Sequence, residues 1–265
     1  MNSNADYCSL VKREMHKTPL YLQYPTSIIL SPLTFFVASL GCKKKMNPNF
    51  LTLCMFFSVL LSMPFLYCPS FWSYLVAFFL VQFFEVFDDA DGIVARVTGQ
   101  LSPFGQQLDY LMHIICHPIM IVSFCFAEYN VFPGDTIFGY SKLVVILIAC
   151  LALMFLELSR RALTGLMAVD KLRVPQVSSS GISSKFRFPK FVAAIYSQMF
   201  CVLGTFPVFA LLFPLALFLD GLFGTYVSSI YFIVYFVFSS AHFLKTLFSL
   251  LFKYVFYKYK TPRCT

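Results

Sequence analysis

Charge is in short supply in this sequence. Asp, Glu, Lys and Arg make up 12% of the 265 residues, against 59% hydrophobic residues and a mean hydropathy of +0.76. Soluble domains carry about 25% charged residues, so a soluble globular fold is excluded. Metal-type cysteine spacing is missing too. The nine Cys form no C-x-x-C pair, and most sit inside apolar runs where a thiol behaves as a small hydrophobe. That removes a zinc site and a disulfide framework. Residues 1–24 lack a compact apolar stretch before a small-residue cleavage site, so no secretory signal peptide is expected. In so apolar a chain the formal net charge of +8 reports loop topology, and no nucleic-acid partner is expected.

What remains is a succession of long apolar runs, rich in Phe (34) and Tyr (15), as in a polytopic helical membrane protein. The expected fold is all-α: a bundle of six transmembrane helices with an N-terminal interfacial helix. Spans are predicted near 49–67, 71–90, 105–127, 139–159, 191–219 and 226–252. Residues 25–41 are apolar but interrupted by Pro25 and Pro32, and at that length they read as an interfacial helix. A seventh span there would put the two termini on opposite sides. The chain then divides into a leader with a juxtamembrane helix (1–46), a transmembrane domain (47–255) and a basic tail (256–265).

Loop charge fixes the expected orientation. The connections at about 68–70, 128–138 and 220–225 hold Glu128, Asp135 and Asp220 but neither Lys nor Arg. The opposite connections hold Arg160, Arg161, Lys171, Arg173, Lys185, Arg187 and Lys190, and the tail adds Lys253, Lys258, Lys260 and Arg263. This positive-inside pattern puts both termini on the cytoplasmic side of a bacterial inner membrane or a eukaryotic endomembrane.

Acidic residues number 12, and five of them (Glu85, Asp88, Asp89, Asp91 and Asp109) fall between 85 and 109, within and beside two apolar segments on that same side. An ionised side chain near the bilayer centre costs roughly 2.5–3.5 kcal/mol, so the cluster points to a site. Asp88 and Asp91, three apart, share a helix face, and Gly105, Asp109 and His113, each four apart, form a stripe on the next span. Two such helices, joined by about a dozen residues between the predicted spans, bring Asp88, Asp91, Asp109 and His113 together. Clustered carboxylates repel unless a cation or proton neutralises them, and hard oxygen ligands select Mg²⁺, Mn²⁺ or Ca²⁺. Gly92 and Gly105 allow close approach of a ligand, and Arg96 can pair with a carboxylate or hold a phosphate. A structural ion-pair network around Arg96 is the competing explanation, but one Arg does not compensate several acids. Asp89 reads as a solvated neighbour, and Glu85 as a partner of Asp88 or a helix-end carboxylate. His117, which precedes Pro118, reads as a structural residue bonding the carbonyl freed at a kink.

The motif D-x2-D-G-x2-A-R, eight residues, then G-x3-D-x3, carried by Asp88, Asp91, Gly92, Ala95, Arg96, Gly105 and Asp109, resembles the signature of the CDP-alcohol phosphatidyltransferases. The stretch Asn47-Pro48-Asn49-Phe50-Leu51-Thr52 and the six spans also look like this family. The resemblance is dense over about 47–113 and only architectural afterwards. It departs at the last motif position, where His113 replaces the usual Asp. The resemblance implies transfer of a phosphatidyl or phospho-alcohol group from a CDP-linked lipid or alcohol donor to an alcohol acceptor, with release of CMP, among membrane lipids. It implies Mg²⁺ or Mn²⁺ held by Asp88, Asp91 and Asp109, with CDP phosphates near Gly92, Arg96 and Gly105. The family's last Asp is its expected general base and second-metal ligand. Here His113, beside Asp109, takes the catalytic position, and the second metal is expected to be weakened, absent or better suited to Mn²⁺. Arg160, Arg161, Lys185 and Arg187 are candidates for binding the acceptor or a lipid headgroup, with positive-inside bias as the competing reading. The family's homodimers make a homodimer one expected assembly.

Two rival functions share parts of this pattern. Intramembrane prenyltransferases pair two acidic motifs on separate halves, and this chain has no second acidic cluster after residue 113. A degenerate lipid- or nucleotide-binding relative is the other, supported only by His113. Donor identity is open between CDP-diacylglycerol with a small polar acceptor, favoured by the six-span architecture, and a CDP-amino-alcohol with diacylglycerol.

Overall fold

A computed structural model of the chain describes residues 3–16, 25–132, 134–137, 140–173 and 206–260. Eight helices cover these residues: α1 (Ser3–Met15), α2 (Pro25–Lys43), α3 (Pro48–Tyr67), α4 (Phe71–Thr98), α5 (Pro103–Val131), α6 (Lys142–Arg173), α7 (Phe206–Phe223) and α8 (Val227–Lys260). A two-residue hairpin, β1 (Thr136–Ile137) against β2 (Tyr140–Ser141), closes the α5–α6 connection. Six helices, α3 to α8, are long and apolar enough to cross a membrane. The chain is an all-α membrane bundle, as its composition requires.

The six spans close a ring. α3 packs on α4, α4 on α7, α7 on α8, α8 on α6, α6 on α5, and α5 returns to α3. α1 and α2 pack on α4, with Val11, Ala38, Cys42, Ala90 and Val94 buried between them. The ring interior mixes aliphatic, sulfur-bearing and aromatic side chains, and Phe209 of α7 stacks on Tyr235 of α8 with ring centroids 3.9 Å apart. With hydrocarbon outside, such contacts hold helices together by van der Waals packing more than by hydrophobic exclusion.

Capping residues set the helix ends that matter for the site. Asn47 caps α3, accepting from Asn49 N–H at 3.0 Å, with Pro48 in the first turn. Ser102 caps α5, accepting from Gly105 N–H at 3.0 Å, and Pro103 follows. α4 is longer than the sequence suggests, running to Thr98 where a break near residue 90 is predicted. Gly99, with φ 71°, ends it in the left-handed conformation that a Cβ disfavours. The expected link of about a dozen residues therefore shrinks to Gly99–Ser102, a four-residue connection between the two motif helices.

At the other end of the bundle, two expected loop acids prove to be buried in helices. Glu128 of α5 is 3% exposed and accepts from the Ser229 hydroxyl. Asp220 of α7 is 5% exposed and accepts from Val227 N–H at 2.7 Å and Ser228 N–H at 2.9 Å. Asp220 thereby satisfies amides that start α8, while Glu128 is held by a side-chain hydroxyl of the same turn. Residues 191–205 of the fifth predicted span lie outside the described residues.

Candidate active site

Asp88 comes from α4, and Asp109 and His113 come from one stripe of α5. Their ligand atoms all lie within 4.8 Å of one another. His113 Nε2 is 3.0 Å from Asp88 Oδ1 and 3.4 Å from Asp109 Oδ1. The ring of Phe84, one turn before Asp88 on α4, meets the His113 ring edge-on at 5.8 Å. Asp88 and Asp109 remain partly exposed, so the site opens to an incoming ligand.

Asp91 stands apart from this trio. It is buried, and the hydroxyl of Thr52 on α3 donates to its Oδ2 at 2.5 Å. The contact ties the motif turn of α4 to the start of the ring. Asp89 is half-buried beside them, and Glu85 lies one turn inward, buried.

The motif's small residues admit close neighbours. A β carbon at Gly105 would meet Asn49 Oδ1 and Ser102 Oγ, each at 3.1 Å, and would press on both side chains. Arg96 folds back over Gly92, with Nη1 3.1 Å from where a β carbon there would stand. Arg96 Nε also lies 3.5 Å from Glu14 Oε2 of α1.

Behind His113 runs a second row of polar groups. His113 Nδ1 lies 3.3 Å from His117 Nε2, and His117 Nδ1 lies 2.8 Å from Glu157 Oε1 on α6. Arg161, one turn on, reaches Glu157 at 3.2 Å and His117 at 2.9 Å. The His117 ring stacks on Phe206 at 3.9 Å. His117 is thus part of a network between helices rather than only a local cap at the Pro118 kink. Arg161, expected at a headgroup, is turned into that network, and Glu157 carried no site signal in the sequence. The side chain of Arg160, and all of Lys185 and Arg187, lie outside the described residues.

The donors present fit a small divalent cation. Asp109 Oδ1 and Glu85 Oε1 are buried without a hydrogen-bond partner among the described residues. Two carboxylates begin a coordination shell, leaving the remaining positions to water and phosphate oxygens, and the imidazole nitrogen beside them either joins that shell or stays free as a base. The oxygens suit Mg²⁺ or Mn²⁺, and the nitrogen suits a transition metal better than Mg²⁺.

No curated protein matches the chain. A family model, CDP-alcohol phosphatidyltransferase, matches residues 45–220, from the start of α3 to the buried Asp220 of α7. That stretch covers more than half of the 265 residues and contains the carboxylates, the glycines and the short α4–α5 connection that carry the site. The chain therefore belongs to the CDP-alcohol phosphatidyltransferase family, the membrane enzymes of phospholipid synthesis that draw on a CDP-alcohol and typically depend on a divalent metal.

Proposed function

We propose that this chain transfers a phosphatidyl group from CDP-diacylglycerol to a small alcohol acceptor, releasing CMP at the cytoplasmic face of the membrane. The observation that supports this reading is the convergence of Asp88, Asp109 and His113 between α4 and α5. The positive-inside pattern of the loops supports the orientation.

In this reading Asp88 and Asp109 hold Mg²⁺ or Mn²⁺, with Asp91 contributing from the next turn of α4. The bound cation supplies charge neutralisation for the pyrophosphate and for departing CMP. His113 stands where the family motif has its last Asp and acts as general base through Nε2. As the acceptor oxygen attacks the phosphorus that bears the lipid, its proton passes to Nε2. The new P–O bond forms while the P–O bond to CMP breaks. A neutral imidazole nitrogen can accept that proton. Arg96, with Gly92 and Gly105, receives the CDP phosphates, and Arg160, Lys185 and Arg187 are candidates for binding the acceptor or a headgroup.

The test is CMP release by the purified protein in lipid nanodiscs. One panel offers CDP-diacylglycerol with polar alcohol acceptors, and another offers CDP-amino-alcohols with diacylglycerol, each with Mg²⁺ or Mn²⁺. Release with the first panel is expected, with loss on chelation and in Asp88→Asn and Asp109→Asn. Turnover with the second panel alone would reverse donor and acceptor. No release from either, with nucleotide still bound, would make the chain a binding protein. Lipid analysis of cells with and without the protein then identifies the acceptor.

A further inference from the structure

At the end of the bundle away from Asp88, three helices each contribute a buried polar atom to one place. Tyr74 stands in the first turn of α4, Glu128 near the end of α5 and Ser228 in the first turn of α8. These residues are 2%, 3% and 0% exposed. The Tyr74 hydroxyl, Glu128 Oε2 and Ser228 Oγ are each buried without a hydrogen-bond partner among the described residues. Along α4, Tyr74 lies about 21 Å from Asp88, so the cluster is separate from the metal-binding trio.

The three residues are neighbours. Ser228 N–H donates to Asp220 Oδ2 at 2.9 Å, while the next residue, Ser229, donates its hydroxyl to Glu128 Oε1. The start of α8 therefore touches both carboxylates, and the Ser228 side chain lies beside Glu128. Tyr74 reaches the same place from α4. A β carbon at Gly221, next to Asp220, would stand 3.7 Å from Tyr74 Cδ2. Glu128 is the charge that acts most strongly on the Tyr74 hydroxyl, followed by Asp220.

We propose that Tyr74, Glu128 and Ser228 form a binding site for one internal water, which bridges α4, α5 and α8 across the ring.

Donor and acceptor counting carries this assignment. An ionised carboxylate only accepts, and each hydroxyl has one proton to give. A water that accepts from Tyr74 and Ser228 and donates to Glu128 Oε2 satisfies all three atoms. It makes three bonds, the usual number for a buried water. The competing occupants do less. A proton on Glu128 Oε2 serves one hydroxyl and leaves the other orphaned. Mg²⁺ or Ca²⁺ takes roughly six or more oxygens, and this cluster offers three. Lys142, which starts α6, is committed to the Phe132 carbonyl at 3.0 Å and to the Tyr129 ring at 4.5 Å.

The bridge also has a place in the architecture. α8 packs chiefly on α6 and α7. Its links across the ring to α5 and α4 are the Ser229–Glu128 bond and, in this proposal, the water. A bilayer supplies no water from the side, so polar groups here have to be satisfied from within the protein.

The full chain in lipid nanodiscs, imaged by electron cryomicroscopy at a resolution that shows ordered waters, tests the site. Expected is a peak about 2.5–3.0 Å from the Tyr74 hydroxyl, Glu128 Oε2 and Ser228 Oγ. Direct bonds among the three side chains, with no peak between them, would overturn the proposal. Thermal midpoints give a second readout. Tyr74→Phe and Ser228→Ala are each expected to lower the midpoint, and the double variant to lose clearly less than their sum, because either change releases the same water. Additive losses would count against a shared water. A midpoint that shifts when Na⁺ is exchanged for K⁺ or Ca²⁺ at constant ionic strength, with the shift lost in Glu128→Gln, would give the site to a cation and overturn the assignment. Where a variant fails to fold, the wild-type density decides.

Discussion

Thr52 and Asp91 are joined across the α3–α4 seam, the threonine hydroxyl donating to Asp91 Oδ2 at 2.5 Å with both side chains buried. This bond ties the acidic turn of α4 to the first helix of the ring, one turn beyond Asp88, which meets Asp109 and His113.

Removing the donor should therefore be felt twice. Thr52→Val leaves a buried carboxylate oxygen unsatisfied, at a cost of about 1–3 kcal/mol. A lower thermal midpoint in detergent is expected, with reduced CMP release, while Thr52→Ser retains both. Wild-type stability in Thr52→Val would mean that Asp91 is satisfied from elsewhere.

The imidazole at 113 should govern both rate and metal choice. His113→Asn removes the basic nitrogen and is expected to lower kcat on the order of 10²- to 10⁴-fold, the usual contribution of a general base. His113→Asp gives an all-carboxylate set and is expected to shift the preferred cation from Mn²⁺ toward Mg²⁺. CMP release titrated with each metal checks both. Full activity with an unchanged metal preference in His113→Asp would count against the role of this nitrogen.

A substitution at the far end should separate stability from catalysis. Asp220 caps the start of α8 through Val227 N–H, Ser228 N–H and the Thr225 hydroxyl. Asp220→Ala is expected to cost about 0.5–2 kcal/mol, the range for a lost cap. Mn²⁺ affinity, read by electron paramagnetic resonance, should stay at the wild-type value, because no metal-site side chain touches this cap.

The trio was legible because its geometry is local. The four-residue stripe on α5 follows from helix period, and the short link after α4 brings Asp88 to it. Glu157 was not legible, because it meets His117 only through the packing of α6 on α5, forty positions apart in the chain. His117 looked like a cap for the Pro118 kink for the same reason. Hydropathy misplaced the end of α4, since charge enters the helix at Asp88 while the backbone stays helical until Gly99. Glu128 and Asp220 looked like loop acids, and what holds them inward is the set of amide and hydroxyl donors at the start of α8, which composition does not reveal.

Arg96 is engaged before any phosphate arrives. Its Nε lies 3.5 Å from Glu14 Oε2 of α1, with the Arg96 side chain 49% exposed. A phosphate arriving at Arg96 has to displace or share this partner. Exposed pairs of this kind contribute about 0.2–1 kcal/mol, which converts to at most about fivefold in affinity. Glu14→Gln is therefore expected to lower the KM for CDP-diacylglycerol by about two- to fivefold and leave kcat unchanged. Arg96→Ala should raise KM whether or not Glu14 is present, so the double variant should match the single Arg96→Ala. Steady-state kinetics on the four proteins close this cycle. A raised KM in Glu14→Gln would show instead that α1 holds the guanidinium in its receiving pose, making the N-terminal helix part of the nucleotide site rather than a competitor for it.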